Sequence, residues 1–190
     1  MYARREATEV LEPVRLSTQE PDPPCVWETG TLNHEGMAGA AAAVDFIADL
    51  GERHLGMVEA RLPAGLQGRR RAVVAGMLAG EAHEQPLARR LREQLARIPG
   101  VSLYGPPEEA PRTSTVSFTL DGLQAVEVCR ALGARGLFTW DGHFYAHRLV
   151  ELLGLLPRGG LVRVGLAPYT TEEELERLVT AVAELARAAR

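Results

Sequence analysis

No lysine occurs anywhere in the 190 residues; all 21 basic side chains, histidine aside, are arginine. That absence removes two chemistries from this chain. A P-loop needs a lysine to reach the terminal phosphates of a nucleotide, and a Schiff base needs a lysine amine. A thermophile signature does not follow from the bias, since that trend favours Lys with Glu. Cysteine is nearly as scarce: Cys25 and Cys129 make no disulfide or metal framework, which fits a reducing compartment. The opening residues Met1-Tyr2-Ala3-Arg4-Arg5-Glu6 lack an apolar signal core, and no run approaches a membrane span. A cytoplasmic protein with no membrane partner is expected. Neither sign of charge dominates, with 21 basic against 25 acidic residues and a net charge of −4, so no nucleic-acid partner is expected either.

What is present is ordinary for a folded protein. The chain is 46% hydrophobic and 24% charged, enough to bury a core without staples. Residues 1–35 read as irregular, with Pro13, Pro21, Pro23 and Pro24 marking an extended connection. From Gly36, the spacing of Met37, Ala40, Ala41, Val44 and Ile47 predicts a helix that Gly51 ends. Residues 56–68 are broken by glycine. A long helix is expected from about Arg69 to Ile98, with Leu87, Leu91, Leu95 and Ile98 on one stripe and Pro99-Gly100 as its stop.

The last ninety or so residues read as one α/β unit. Strands are expected at 101–104, 113–120, 136–140 and 161–166, and helices at 123–132 and 147–153. The final helix opens on a capping box, either Thr170 with Glu173 or Thr171 with Glu174. Its apolar stripe is Leu175, Leu178, Val179, Val182 and Leu185. The expected class is α/β, of the α+β kind, with helices on a small sheet. The expected division is 1–68, a long helix over 69–99, and a small domain over 100–190.

Several residues could carry chemistry. In Leu161-Val162-Arg163-Val164-Gly165-Leu166 the period of two puts Val162, Val164 and Leu166 on one face. Arg163 then points the other way, either as a solvated side chain or as a guanidinium fork for a carboxylate. Hydroxyls and a glycine in Trp27-Glu28-Thr29-Gly30-Thr31-Leu32-Asn33-His34-Glu35-Gly36 suit an oxyanion before a helix, although Thr and Asn there also serve as plain caps. His143 and His147 stand four apart, as helical metal ligands can, but the Glu of the zinc-protease motif is missing and Gly142 makes the first half a loop. The reading taken is that His143 and Tyr145 line a loop and His147 opens a helix. The Arg69-Arg70-Arg71 and Arg89-Arg90 runs read as a solvated helix surface. Cys129 falls in a helix as a small packing residue.

Taken in order, residues 28–36, Ile98-Pro99-Gly100-Val101, Trp140-Asp141-Gly142-His143-Phe144-Tyr145-Ala146, and Leu161–Leu166 with Tyr169 and the Thr-Glu-Glu cap resemble the class V aminotransferases, in particular their cysteine-desulfurase-like branch. The resemblance implies the tail of the large domain, over 1–68, and the whole small domain, over 100–190, of a fold type I enzyme that uses pyridoxal 5'-phosphate, works as a dimer and acts on an amino acid. Family members are about twice as long, and their first half carries the cofactor lysine. Met1-Tyr2-Ala3-Arg4 resembles the strand that follows that lysine, so the chain is expected to be a C-terminal portion, catalytically incomplete alone. Its partner is then a second copy or a lysine-bearing N-terminal half. The resemblance further implies that Arg163 binds the substrate carboxylate and that His143 and Tyr145 sit on the loop covering the site. It implies that Gly30 and Thr31 reach the cofactor phosphate across the dimer. Cysteine desulfurases carry a persulfide cysteine on the covering loop; no cysteine lies between Trp140 and Ala146 here. The competing expectation is a non-enzymatic binding or dimerisation module, since fold alone does not fix function.

Overall fold

The computed structural model describes residues 3–190, which divide into two compact units between Phe46 and Ile47, inside helix α2. Of the opening resemblance, Met1 and Tyr2 lie outside the described residues, and Arg4 is extended backbone that leads into a short helix, α1 (Arg5–Val10). Among the described residues ahead of α2, this helix and a 3-10 turn at Cys25–Trp27 are both elements that the pattern does not predict. In this first unit the Gln19 side chain organises the proline-rich connection. Its Nε2 lies within 3.2 Å of the carbonyl oxygens of Cys25, Val26 and Glu28, and its Oε1 accepts from the Leu16 amide at 3.1 Å. Asn33 Oδ1 accepts from the Gly36 amide at 2.7 Å and caps helix α2 (His34–Arg53). The helix residues of this unit, 34–46, are all exposed.

The second unit starts with the end of α2, where one expectation fails. Gly51 does not end the helix; it lies buried two residues inside it. A Cβ there would meet the Ala72 carbonyl oxygen at 1.9 Å, and one on Gly76 would meet the Ile47 carbonyl oxygen at 1.9 Å. The two glycines let α2 and α4 (Gly68–Ala96) touch backbone to backbone. Between these helices comes α3 (Leu55–Val58), whose Val58 is buried in a small cluster with Ala75 and Ala79. The long helix keeps its predicted stripe, with Leu87, Leu91, Leu95 and Ile98 all buried, and it runs through Pro86 without ending.

Four antiparallel strands follow: β1 (Val101–Tyr104), β2 (Thr115–Leu120), β3 (Trp140–Gly142) and β4 (Leu161–Gly165), in the order β1-β2-β4-β3. On one face Val116, Phe118, Leu120, Val162 and Val164 join the stripe of α4 in the main core. Residues of α5 (Ala125–Gly133) and α7 (Glu172–Ala188) complete it, Val128, Leu132, Leu175, Leu178 and Val182 among them. The result is helices layered on one small sheet, as the alternating pattern predicts. The cap of α7 settles on Thr171: its Oγ1 accepts from the Glu174 amide at 3.2 Å, and Glu174 Oε2 accepts from the Thr171 amide at 2.9 Å. Thr170 is occupied otherwise, its hydroxyl accepting from the Ala167 amide.

The other face differs from a simple polar surface. Leu161 packs there with Val150 of α6 (His147–Leu152) and with Leu155, and Tyr104, Phe144 and Leu156 join this second cluster. Thr119 on the same face is buried as well. The third strand is also displaced from its predicted place: pairing with β4 aligns Trp140 with Arg163 and Gly142 with Leu161. Asp141 and Gly142 thus belong to a strand rather than to the loop. The close approach of Gly160 explains the fit, since a Cβ there would strike the Gly142 carbonyl oxygen at 2.3 Å.

Candidate functional site

Arg163 occupies the open end of that second face. The alternation of β4 buries Val162 and Val164 and leaves Arg163 exposed. The register sets it between Ser117 of β2 and Trp140 of β3, and Gly165 beside it opens onto empty space. Among the described residues the Arg163 side chain makes no hydrogen bond or ion pair, so its donors stand available to a ligand. Its one close partner is an aromatic ring: Cζ lies 4.5 Å from the centroid of Phe144. Such a contact at an exposed site contributes about 0.5–1 kcal/mol.

The segment after β3 brings that ring into place. Phe144 and Tyr145 have φ of 50° and 61°, both in the left-handed region. For residues with side chains this costs about 1–2 kcal/mol each. The turn closes through the Ala146 amide, which donates to the His143 carbonyl at 2.7 Å. Tyr145 is fully exposed, while the rings of His143 and His147 meet edge to face at 5.4 Å. Among the described residues no group of three His, Cys, Asp or Glu side chains could hold a metal ion, so the two histidines remain a pair.

The structure brings Arg163, His143 and Tyr145 to one unit, on β4 and the loop after β3. Gly30 and Thr31 belong to the other unit, in an exposed loop ahead of α2 where Gly30 has φ of 72°. Phe144 is the residue that sequence reasoning passed over; nothing in its type announces a left-handed backbone.

Neither cysteine lies in the loop after β3. Cys25 is exposed in the first unit. Cys129 is half-buried in α5, where burial pushes its thiol pKa up despite the hydrogen bond from Thr139 Oγ1 at 3.2 Å. A thiol kept protonated is a poor nucleophile. The arginine runs are engaged at the surface: Arg71 pairs with Glu59 at 2.8 Å, and Arg90 with Glu172 and Glu176 at 2.8 and 2.6 Å. No described helix is long and apolar enough to cross a membrane.

The unit is an α+β domain with an antiparallel sheet, one helix-packed face and an exposed arginine side chain on the other. The sequence profile of the aminotransferase class-V family matches residues 72–178, and the chain belongs to that family. It is 30% identical over 164 residues to the cysteine desulfurase of Salmonella agona (strain SL483), a match that covers 86% of this chain and 33% of the relative. The chain thus spans about a third of the length of the curated relatives it matches. Among solved structures, the apo cysteine desulfurase from Thermococcus onnurineus NA1 superposes with a TM-score of 0.71 at 25% identity, over 98% of this chain and 42% of that one. A NifS-like protein shares the fold at 20% identity, with a TM-score of 0.60 over 93% of this chain and 40% of its own.

The family implies pyridoxal 5'-phosphate as cofactor. Holding its aldehyde needs an amine, and the chain has no lysine to offer. The residues present do not make a complete site for it.

Proposed function

We propose that this chain supplies the substrate-binding small domain of a pyridoxal-phosphate-dependent class V enzyme acting on an amino acid. The lysine would come from outside these 190 residues, on a preceding segment or a second chain. The observation that carries the reading is the exposed Arg163, unpaired among the described residues and stacked over Phe144, on the face of β4 opposite the core. A planar fork with free donors matches a carboxylate two bonds at a time. His143 and Tyr145 would line the covering loop, and Gly30 with Thr31 would address the cofactor phosphate in a dimer. When bound, the cofactor supplies the electronic chemistry, and this chain orients the amino acid. Sulfur transfer through a persulfide on this chain is not part of the proposal, because neither Cys25, in the first unit, nor Cys129, on α5, lies in the loop after β3.

The absence of lysine favours a second reading, a non-enzymatic binding or dimerisation module. One experiment separates the two. The part of the Thermococcus onnurineus desulfurase that precedes the matched region would be fused ahead of Met1 or co-expressed. Borohydride-reducible cofactor with turnover of an amino acid, both dependent on this chain, supports the enzyme reading. Stable association without either supports the module.

A further inference from the structure

We propose that Phe144 is a positioning residue that presets the Arg163 fork for its carboxylate. The inference rests on the reading of Arg163 as a carboxylate clamp. An exposed arginine is a flexible chain with much rotamer freedom to lose on binding. Here the guanidinium has no hydrogen bond or ion pair among the described residues, and the ring 4.5 Å from Cζ is what restrains it. The ring itself is held: Phe144 packs against the cluster formed by Val150, Leu155 and Leu161. The backbone that puts it there is left-handed at two successive residues, Phe144 and Tyr145. Such conformations persist only where the surroundings over-determine them, and they gather at binding sites. A cation–π contact leaves the N–H edge of the guanidinium free, so the contact fixes the fork without occupying its donors.

Acetate serves as the probe, titrated into the full chain with labelled arginine and followed by NMR at the Arg163 Nε–H. In the wild type the Arg163 side-chain protons should be shifted upfield by the ring current. Phe144→Leu should abolish that shift and weaken acetate binding about two- to fivefold, the share an exposed cation–π contact supplies. Phe144→Tyr should restore both, which a role confined to packing would not require of the shift. An unshifted Arg163 in the wild type overturns the proposal, and that measurement needs no variant to fold. Unchanged acetate affinity in Phe144→Leu, with binding lost in Arg163→Ala, overturns the role of Phe144 alone. Unchanged affinity in Arg163→Ala removes the clamp reading and takes this inference with it.

Discussion

One face of the sheet presents Val116, Phe118, Leu120, Val162 and Val164 to three helices, whereas the other carries Ser117, Arg163 and Trp140 beside a short helix and a left-handed loop. The first face gains from burial and tolerates no vacancy. The second holds a cation whose side chain has no ion pair among the described residues, only a ring contact, and two residues in a costly conformation. The contrast separates a fully packed face from one that is packed only where Leu161 meets Val150 and Leu155 and is open around Arg163. Mutations on the two faces should therefore report on different quantities.

The largest effect should come from the packed face. Phe118 is fully buried between the sheet and the helices, so Phe118→Ala loses its transfer free energy and leaves a cavity. A loss of about 3–5 kcal/mol is expected in urea unfolding. A loss below about 1 kcal/mol would mean that this face is not the core it is taken to be.

Arg163→Ala should do the reverse. Exposed and held by its ring contact with Phe144, it should cost at most about 0.5–1 kcal/mol of stability. In an enzyme completed by a lysine-bearing half, the same change should cost about 1.5–3 kcal/mol of transition-state binding, or about ten- to a hundredfold in kcat/KM. Arg163→Lys keeps the charge but loses the fork, so it should also weaken turnover. Cofactor loading should survive both changes. Near-wild-type kinetics in the alanine variant would make Arg163 a solvated surface residue.

A third substitution should change the sign. Tyr145 has φ of 61° and a wholly exposed side chain, so Tyr145→Gly relieves strain and removes little packing. A gain of about 1 kcal/mol is expected, measured as a higher urea midpoint. A loss instead would show that the tyrosine side chain holds the loop and that its strain is not the governing term.

The two faces also differ in how far the sequence discloses them. Period-two alternation in β2 and β4, and the Leu87–Leu91–Leu95 stripe, follow from the need to bury one side of an element, so the packed face was readable. The same alternation turned Arg163 outward. The sequence could not separate the two uses of glycine: Gly51 reads as a helix stop, yet it is a point of close approach to α4. The cap was ambiguous because Thr170 and Thr171 both stand three residues before a glutamate, and only the folded chain commits Thr170 to the Ala167 amide. The third strand, three residues ending in glycine, carries too short a pattern to place. Phe144 was hidden for a related reason, because left-handed backbone at an aromatic residue is imposed by its neighbours and not by its own preference.

The smallest effect should arise away from both faces, in the turn after β1. There Glu108 accepts from Arg92 Nη2 at 2.6 Å and Nε at 3.2 Å, with Arg89 and Arg112 each at 3.7 Å. The hydrogen bond from Arg92 holds the Glu108 carboxyl below the usual carboxylate range, against a smaller opposing effect of burial, and the charges of Arg92, Arg112 and Arg89 add to the lowering. A carboxyl whose folded pKa is depressed contributes stability above its unfolded pKa and loses it as pH falls through the folded one. Glu108→Gln should therefore differ most from wild type near neutral pH and converge with it in acid. Solvent and salt screen a pair this exposed, so the difference should be slight and should shrink further at high ionic strength. Urea midpoints of both proteins from neutral to acid pH, at low and high salt, measure it. If the gap widens as pH falls, Glu108 is not the carboxylate that these arginines stabilise.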